Sequence, residues 1–312
     1  MNVGAHWVPG SKILLYFLGS EGGSEVLAQV LFLFRSFLVL VRFVGVMAIL
    51  AWNVRGLGNK DTNRALRKSI QKFQPDIIFL SETKQKKGFL EKVKTKMKMA
   101  HSFYVEPCRI TGGLACGIPR GLALWWSNDT QITVLRSGKH FIDAEISIKG
   151  ESEWFGSFIY GPPYKEEKRE FWEMMTQMRD ASEECWLVIG DTNVVASQEE
   201  KLGGIPFNLN DARVYFDFID GKGLIELPIS SGSFTWLNQR SEEEAILEKL
   251  DRALCSVEWS VRFPKAVGLL DVAIGSAHAP VIIYPYGLSK KYKRDFKFES
   301  KWLLEEECKS TV

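Results

Sequence analysis

The sequence predicts an α+β fold, a layered sandwich of sheets with helices packed outside. Three observations carry that expectation. Strand-like and helix-like segments alternate from Met47 onward. Several strand candidates are apolar almost throughout, as strands buried on both faces are. Neighbouring candidates are joined by short turns, which favours antiparallel pairing and a layered α+β arrangement. The chain has 312 residues, 46% hydrophobic and 25% charged. That composition is ordinary for a soluble globular protein, and the length suffices for a core between two sheets. No internal repeat is visible.

Residues 1–46 differ from the rest. The run VLAQVLFLFRSFLVLVRFVGVMAIL, residues 26–50, is long enough to suggest a membrane span, but it contains Arg35 and Arg42. Each arginine costs roughly 2.5–3.5 kcal/mol at a bilayer centre. A secretory signal fits poorly, because Lys12 is the only basic residue before Ile13. The better division places a strand at ILAWN, within a domain over residues 47–287, and treats residues 1–46 as an extension outside the fold. A membrane anchor over residues 26–46 and a docked helix are the alternatives.

After ILAWN the elements follow in order. Residues 62–73 place Leu66, Ile70 and Phe73 at helical spacing, with Thr62 as a candidate N-cap and Pro75 ending the helix. DIIFLSET reads as a buried strand. GLALWW, HFIDAEISI and WFGSFIY read as three more, and HFIDAEISI alternates in part, as a half-buried strand does. Residues 166–178 are a helix with Phe171, Met174, Met175 and Met178 on one side. CWLVIGD is a fully buried strand, residues 212–219 a helix, and APVIIYP the last strand, with GLIEL, GSFTW and LEKLDRAL between. Residues 288–312 are charged and read as a linker toward a further region.

Net charge is +2, so no strong overall field draws polyanions, and any nucleic-acid contact must be local. The five cysteines lack metal-type spacing and read as reduced thiols. The four histidines are dispersed, which leaves oxygen ligands, and hence magnesium or manganese, as the metal chemistry this chain can offer.

Polar residues recur where apolar strands end: Asn53 after ILAW, Glu82 after IIFLS, Tyr160 after SFI, and Asp191 and Asn193 in VIGDTN. Strand ends gathered on one rim make a rigid site with variable loops around it. Two carboxylates, two amides and a phenol suit a divalent cation and a phosphate ester. Taken singly, each has an ordinary reading. A strand-terminal Asp or Asn is a turn-former, Tyr160 a packed turn residue, Asp251 a solvated helix charge and His278 a loop histidine.

The motifs WNVRGLG, DIIFLSETK, GGLALWW, YGPPYKEEKREFW, VIGDTN, GSFTW, LDRAL and SAHAP occur in that order. Together they resemble the endonuclease/exonuclease/phosphatase superfamily, and most closely the endonuclease domain of plant LINE-type (non-LTR) retrotransposon polyproteins. The resemblance covers residues 47–286. It implies a four-layer, DNase-I-like α/β sandwich of two mostly antiparallel sheets flanked by helices, and metal-assisted hydrolysis of a DNA phosphodiester. Carried over by motif, Glu82 holds magnesium (or manganese) with Asn53 beside it. Asp191 positions the attacking water, while Asn193 and Tyr160 hold the phosphate. His278 faces the scissile phosphate or accepts the proton, oriented by Asp251. It also implies DNA as partner, a monomer and a nuclear location.

Two departures stand out. The family's G-D-F-N is G-D-T-N here, with Thr192 expected to alter packing only. The family's S-D-H is Ser276-Ala277-His278, and an alanine cannot ligate a cation or orient a ring. The expectation is an intact fold with impaired or lost activity. A non-catalytic nucleic-acid-binding remnant and an enzyme acting on a lipid or inositol phosphate are the alternatives, though YGPPYKEEKREFW argues against the last.

Overall fold

The computed structural model describes residues 47–107, 121–148, 152–179, 184–238 and 244–288. The expectations for residues 1–46 and for the charged tail beyond residue 288 lie outside the described residues. No helix among them is long and apolar enough to cross a membrane.

Two six-stranded sheets dominate. The first contains β1 (Ile49–Asn53), β2 (Ile77–Ser81), β3 (His101–Val105), β4 (Leu122–Trp126), β14 (Val267–Leu270) and β15 (Val281–Tyr284), in the order β14-β15-β1-β2-β4-β3. The second contains β5 (Thr130–Gly138), β6 (Phe141–Ile148), β7 (Trp154–Tyr160), β8 (Trp186–Asp191), β10 (Ile225–Glu226) and β13 (Asp251–Cys255), in the order β10-β13-β8-β7-β6-β5. A small third sheet joins β11 (Trp236–Leu237), β12 (Leu247–Glu248) and β9 (Lys201–Leu202). Pairing is antiparallel except at β1–β2 and β7–β8, one parallel pair at the centre of each large sheet.

Alternation along the central strands explains the layering. Ile49, Ala51, Ile77 and Phe79 face the second sheet, where Ile142, Phe158, Leu187, Ile189 and Ala253 complete the inner core. The Phe79 and Phe158 rings meet at 5.6 Å. The opposite faces of the same strands carry Leu50, Trp52, Ile78 and Leu80, which pack on α1 (Lys60–Phe73) and α2 (Lys87–Lys96). On the other side, Ile159, Val188 and Leu254 pack on α3 (Lys165–Met178) and α4 (Leu209–Lys222) through Phe171, Trp172, Tyr215 and Phe218. The order helix, sheet, sheet, helix is the expected four-layer sandwich. With both faces covered, β1, β2 and β8 read as apolar runs that turn polar only at their ends.

Several local expectations shift. The first helix starts earlier than Thr62, because the Asn59 side chain accepts the Asp61 N–H and caps it. Thr62 instead lies buried within the helix and donates to the Gly275 carbonyl. The 212–219 helix extends to Leu209–Lys222, capped by Asn208 and closed by Gly223 at φ +56°. LEKLDRAL is not helical: it forms β12 and β13, and Asp251 is buried rather than a solvated helix charge. The elements α2, β3, β5, β14 and α5 (Val257–Arg262) were not foreseen.

Candidate active site

The seven residues singled out from the sequence all reach one rim. Asn53 closes β1, and Glu82 follows β2 directly. Tyr160 and Asp191 end the parallel neighbours β7 and β8 and stand opposite each other in register. Asp251 opens β13, antiparallel to β8, and pairs in register with Asp191. His278 precedes β15. Parallel pairs bring two strand ends to one side, and antiparallel neighbours bring a strand start to the same side. The rim therefore draws on both sheets.

At the rim, hydrogen bonds cross between those sheets. Asn53 Nδ2 donates to Asp191 Oδ2 at 2.9 Å and also lies 3.1 Å from Glu82 Oε1. The Tyr160 hydroxyl donates to Glu82 Oε1 at 3.1 Å. His278 Nδ1 meets Asp251 Oδ2 at 2.9 Å, with Asp191 Oδ2 at 3.8 Å. Asn193 is held at two points: its N–H donates to the Asp191 carboxylate at Oδ1 and its side-chain amide to the Gly161 carbonyl.

The backbone at the rim is constrained. Among the described residues six non-glycine positions have positive φ, and Arg55, Glu82, Lys84 and Asn193 are four of them. Left-handed conformations at non-glycine residues cost of order 1–3 kcal/mol and persist only where surrounding contacts impose them, which is typical of functional sites. Gly190 at φ +145° has a direct reason: a Cβ there would collide with the Ile159 carbonyl oxygen of the parallel neighbour. The glycine of G-D-T-N thus lets β8 lie close to β7 just before Asp191.

Electrostatics follow from burial. Glu82, Asp191, Asp251 and His278 are all nearly inaccessible. Burial, reinforced by the Asp251 charge, pushes Asp191 up to about 7 against the pull of His278 and the Asn53 and Asn193 donors. For His278 burial works against the imidazolium, but the Asp251, Asp191 and Glu82 carboxylates outweigh it, and its pKa lies above the ordinary histidine value. The Lys84 ammonium stands 3.1 Å from Glu82 Oε2 and the His278 imidazolium beside Asp251, so the rim gathers carboxylates and their counter-charges in one place where a divalent cation could also bind. The donors are mainly oxygens, which fits magnesium or manganese. Two places could hold it: beside Glu82 and Asn53, or among Asp191, Asp251 and His278, whose ligand atoms lie within 4.8 Å of one another. In the second place the His278 Nδ1 is already engaged by Asp251.

Supporting residues went unnoticed in the sequence. Ser276 Oγ donates to the Asn53 carbonyl at 2.7 Å, and Trp52 Nε1 donates to the His278 carbonyl at 2.8 Å. Thr235 of GSFTW accepts from the Leu250 and Asp251 N–H groups while its carbonyl accepts the Ala279 N–H. Lys84, the end of SETK, lies 3.1 Å from Glu82 Oε2. Thr192 does more than fill space, since its hydroxyl donates to the Leu250 carbonyl at 2.7 Å. Ala277 is 3% exposed beside His278, and its carbonyl accepts the Leu237 N–H.

The decisive match is to a family model, Endonuclease/Exonuclease/phosphatase family, over residues 50–278. The chain belongs to the endonuclease/exonuclease/phosphatase family. The matched span takes in all seven rim residues. Solved structures share the fold. The endonuclease domain of TRAS1, a telomere-specific non-LTR retrotransposon, aligns with TM-score 0.54 at 12% identity, covering 76% of this chain and 97% of that one. An AP endonuclease from Archaeoglobus fulgidus gives TM-score 0.55 at 15% identity, with 76% and 98% covered. A 3′-5′ exonuclease (NExo) from Neisseria meningitidis gives 0.54 at 17% identity, with 76% and 98% covered. At these identities the likeness establishes the fold alone. A comparison with curated protein sequences returns no match.

Proposed function

We propose that this member of the endonuclease/exonuclease/phosphatase family is a divalent-metal-dependent DNA endonuclease of retroelement origin, slowed by the alanine at position 277. The observation that carries the reading is the convergence of Asn53, Glu82, Tyr160, Asp191, Asn193, Asp251 and His278 in one buried hydrogen-bonded rim. The structural likeness to a retrotransposon endonuclease domain and to a Neisseria 3′ phosphatase bound to a product DNA hairpin supports the choice of DNA.

In this reading the Tyr160 hydroxyl, turned from Glu82 to the substrate, and the second N–H of the Asn193 amide hold phosphate oxygens without adding negative charge. Asp191, with a pKa near 7, receives the proton of the attacking water, a value suited to general-base work near neutrality. His278, kept charged by Asp251, faces the phosphate. Glu82 with Asn53 would hold magnesium or manganese, which neutralises charge developing on the phosphate and the leaving oxygen. With chromosomal DNA as its target, the protein would act in the nucleus.

The test is nicking of supercoiled plasmid with magnesium or manganese by the natural chain, by Ala277→Asp, and by Glu82→Ala as the blank. Nicking by the natural chain that vanishes in the blank establishes the activity. Nicking by Ala277→Asp alone makes the natural chain a decayed enzyme whose site lacks one carboxylate. Silence from both overturns the reading.

A further inference from the structure

Next to Asn193 runs a groove of about 380 Å³ between the start of α3, the start of α4 and the segment after β8, lined by Lys168, Asn193, Lys201, Phe207 and Asn208 among others. Three lysines lie close to it, and they are not alike. Lys165 is exposed and pairs with Asp211 at 2.7 Å. Lys201 pairs with Glu248. Lys168 is half-buried, and among the described residues its ammonium pairs with no carboxylate. Its hydrogen-bond partner is the Asn193 carbonyl, at 2.7 Å.

A partly buried ammonium held by one carbonyl is costly unless something else compensates it. Burial keeps its pKa below the ordinary lysine value, although the charges of Asp211, Asp191 and Glu248 oppose that shift. An ammonium carries three N–H donors and Asn193 takes one, so two remain for the groove. The carbonyl it grips belongs to a residue with φ +51° whose side chain is proposed to hold the scissile phosphate. One side chain thus fixes Asn193 and faces the path along which the strand must continue.

We propose that Lys168 forms a second phosphate subsite, meeting the phosphodiester adjacent to the scissile one on a bound polynucleotide strand. The inference rests on the DNA reading above and deepens it. Lys168 sets the register of the strand through the backbone and carries no sequence information.

The test is the salt dependence of binding to a short labelled duplex in EDTA, where cleavage does not intervene. Each phosphate contact contributes about −0.9 to the slope of log K against log salt concentration. Lys168→Gln removes one charge and keeps a donor for the Asn193 carbonyl, so its slope is expected to be shallower than the parent's by about 0.9. Lys168→Arg keeps the parent slope, and so does Lys165→Gln. Lys168→Met gives a second reading should the glutamine variant fail to fold. If the parent binds and the Lys168→Gln slope equals the parent's, this inference falls while the DNA reading stands. An equal flattening in Lys165→Gln also overturns it, since any nearby charge then serves. If the parent neither binds nor nicks DNA, the functional reading fails and takes this subsite with it.

Discussion

His278 and Asp251, 27 residues apart in sequence, meet with 2.9 Å between Nδ1 and Oδ2, both buried. The contact joins the loop before β15 in one sheet to the first residue of β13 in the other. It also sets the ring: with Nδ1 bound to the carboxylate, Nε2 is the nitrogen left for chemistry.

Replacing Asp251 with asparagine keeps the shape and removes the charge. The His278 pKa, read by NMR titration, is expected to fall, because Asp251 is the leading influence that raises it against burial. Cleavage is expected to drop on the order of a hundredfold or more, the usual range for a general acid–base group and its orienter. An unchanged histidine titration would show that the carboxylate does not govern the ring.

Ala277→Asp places a carboxylate at a 3% exposed position next to His278, the partner of Asp251. Without metal an unpaired buried charge costs about 3 kcal/mol or more, so the melting temperature in EDTA is expected to fall below the natural chain's. Magnesium or manganese binding the folded state is expected to restore it by linkage. Equal melting temperatures with and without metal would place the new side chain away from any cation.

A second buried network, around Arg252, is expected to contribute to stability in acid. Arg252, fully buried, is bonded to Glu200 and Glu226. Burial raises the Glu200 pKa, but the Arg252 bond and charge, the Ala196 N–H and Lys249 outweigh it and draw it down to about 2. A carboxyl with a folded pKa below its unfolded one adds stability fully present above about 4.5, lost as pH falls toward 2. The loss is on the order of 3 kcal/mol. Unfolding of Glu200→Gln across that window is expected to depend less on pH than that of the natural chain.

Gly190→Ala is expected to destabilise the fold by on the order of 4 kcal/mol or more, since a Cβ meets the Ile159 carbonyl and φ is +145°. Denaturant unfolding measures it. A loss under 1 kcal/mol, roughly the ordinary cost of a tolerated substitution, would show that β7 and β8 can move apart at that point.

Strands β1, β2 and β8 were legible because burial on both faces leaves nothing polar until the strand ends, so Asn53, Glu82 and Asp191 stood out. Peripheral elements were less so. In α2 only Leu90 and Val93 are buried, and β3 is mostly half-exposed, so neither shows a clear period. LEKLDRAL misled because Leu247, Leu250 and Leu254 fall at helical spacing while the backbone runs as two short strands. Ser276, Trp52 and Thr235 act through contacts spanning up to 226 residues, which no local pattern reports. Lys168 lies in a charged first turn that reads as solvated.

Because the site's side chains come from two separate sheets, the sandwich works like a vice. Asn53, Glu82 and His278 ride on one jaw, and Tyr160, Asp191, Asn193 and Asp251 on the other. Between the jaws there is an apolar layer in which Phe79 touches Phe158. Its fit sets the gap. A side chain deep in that layer, with no contact to substrate, then governs the alignment of the rim as firmly as the rim residues do.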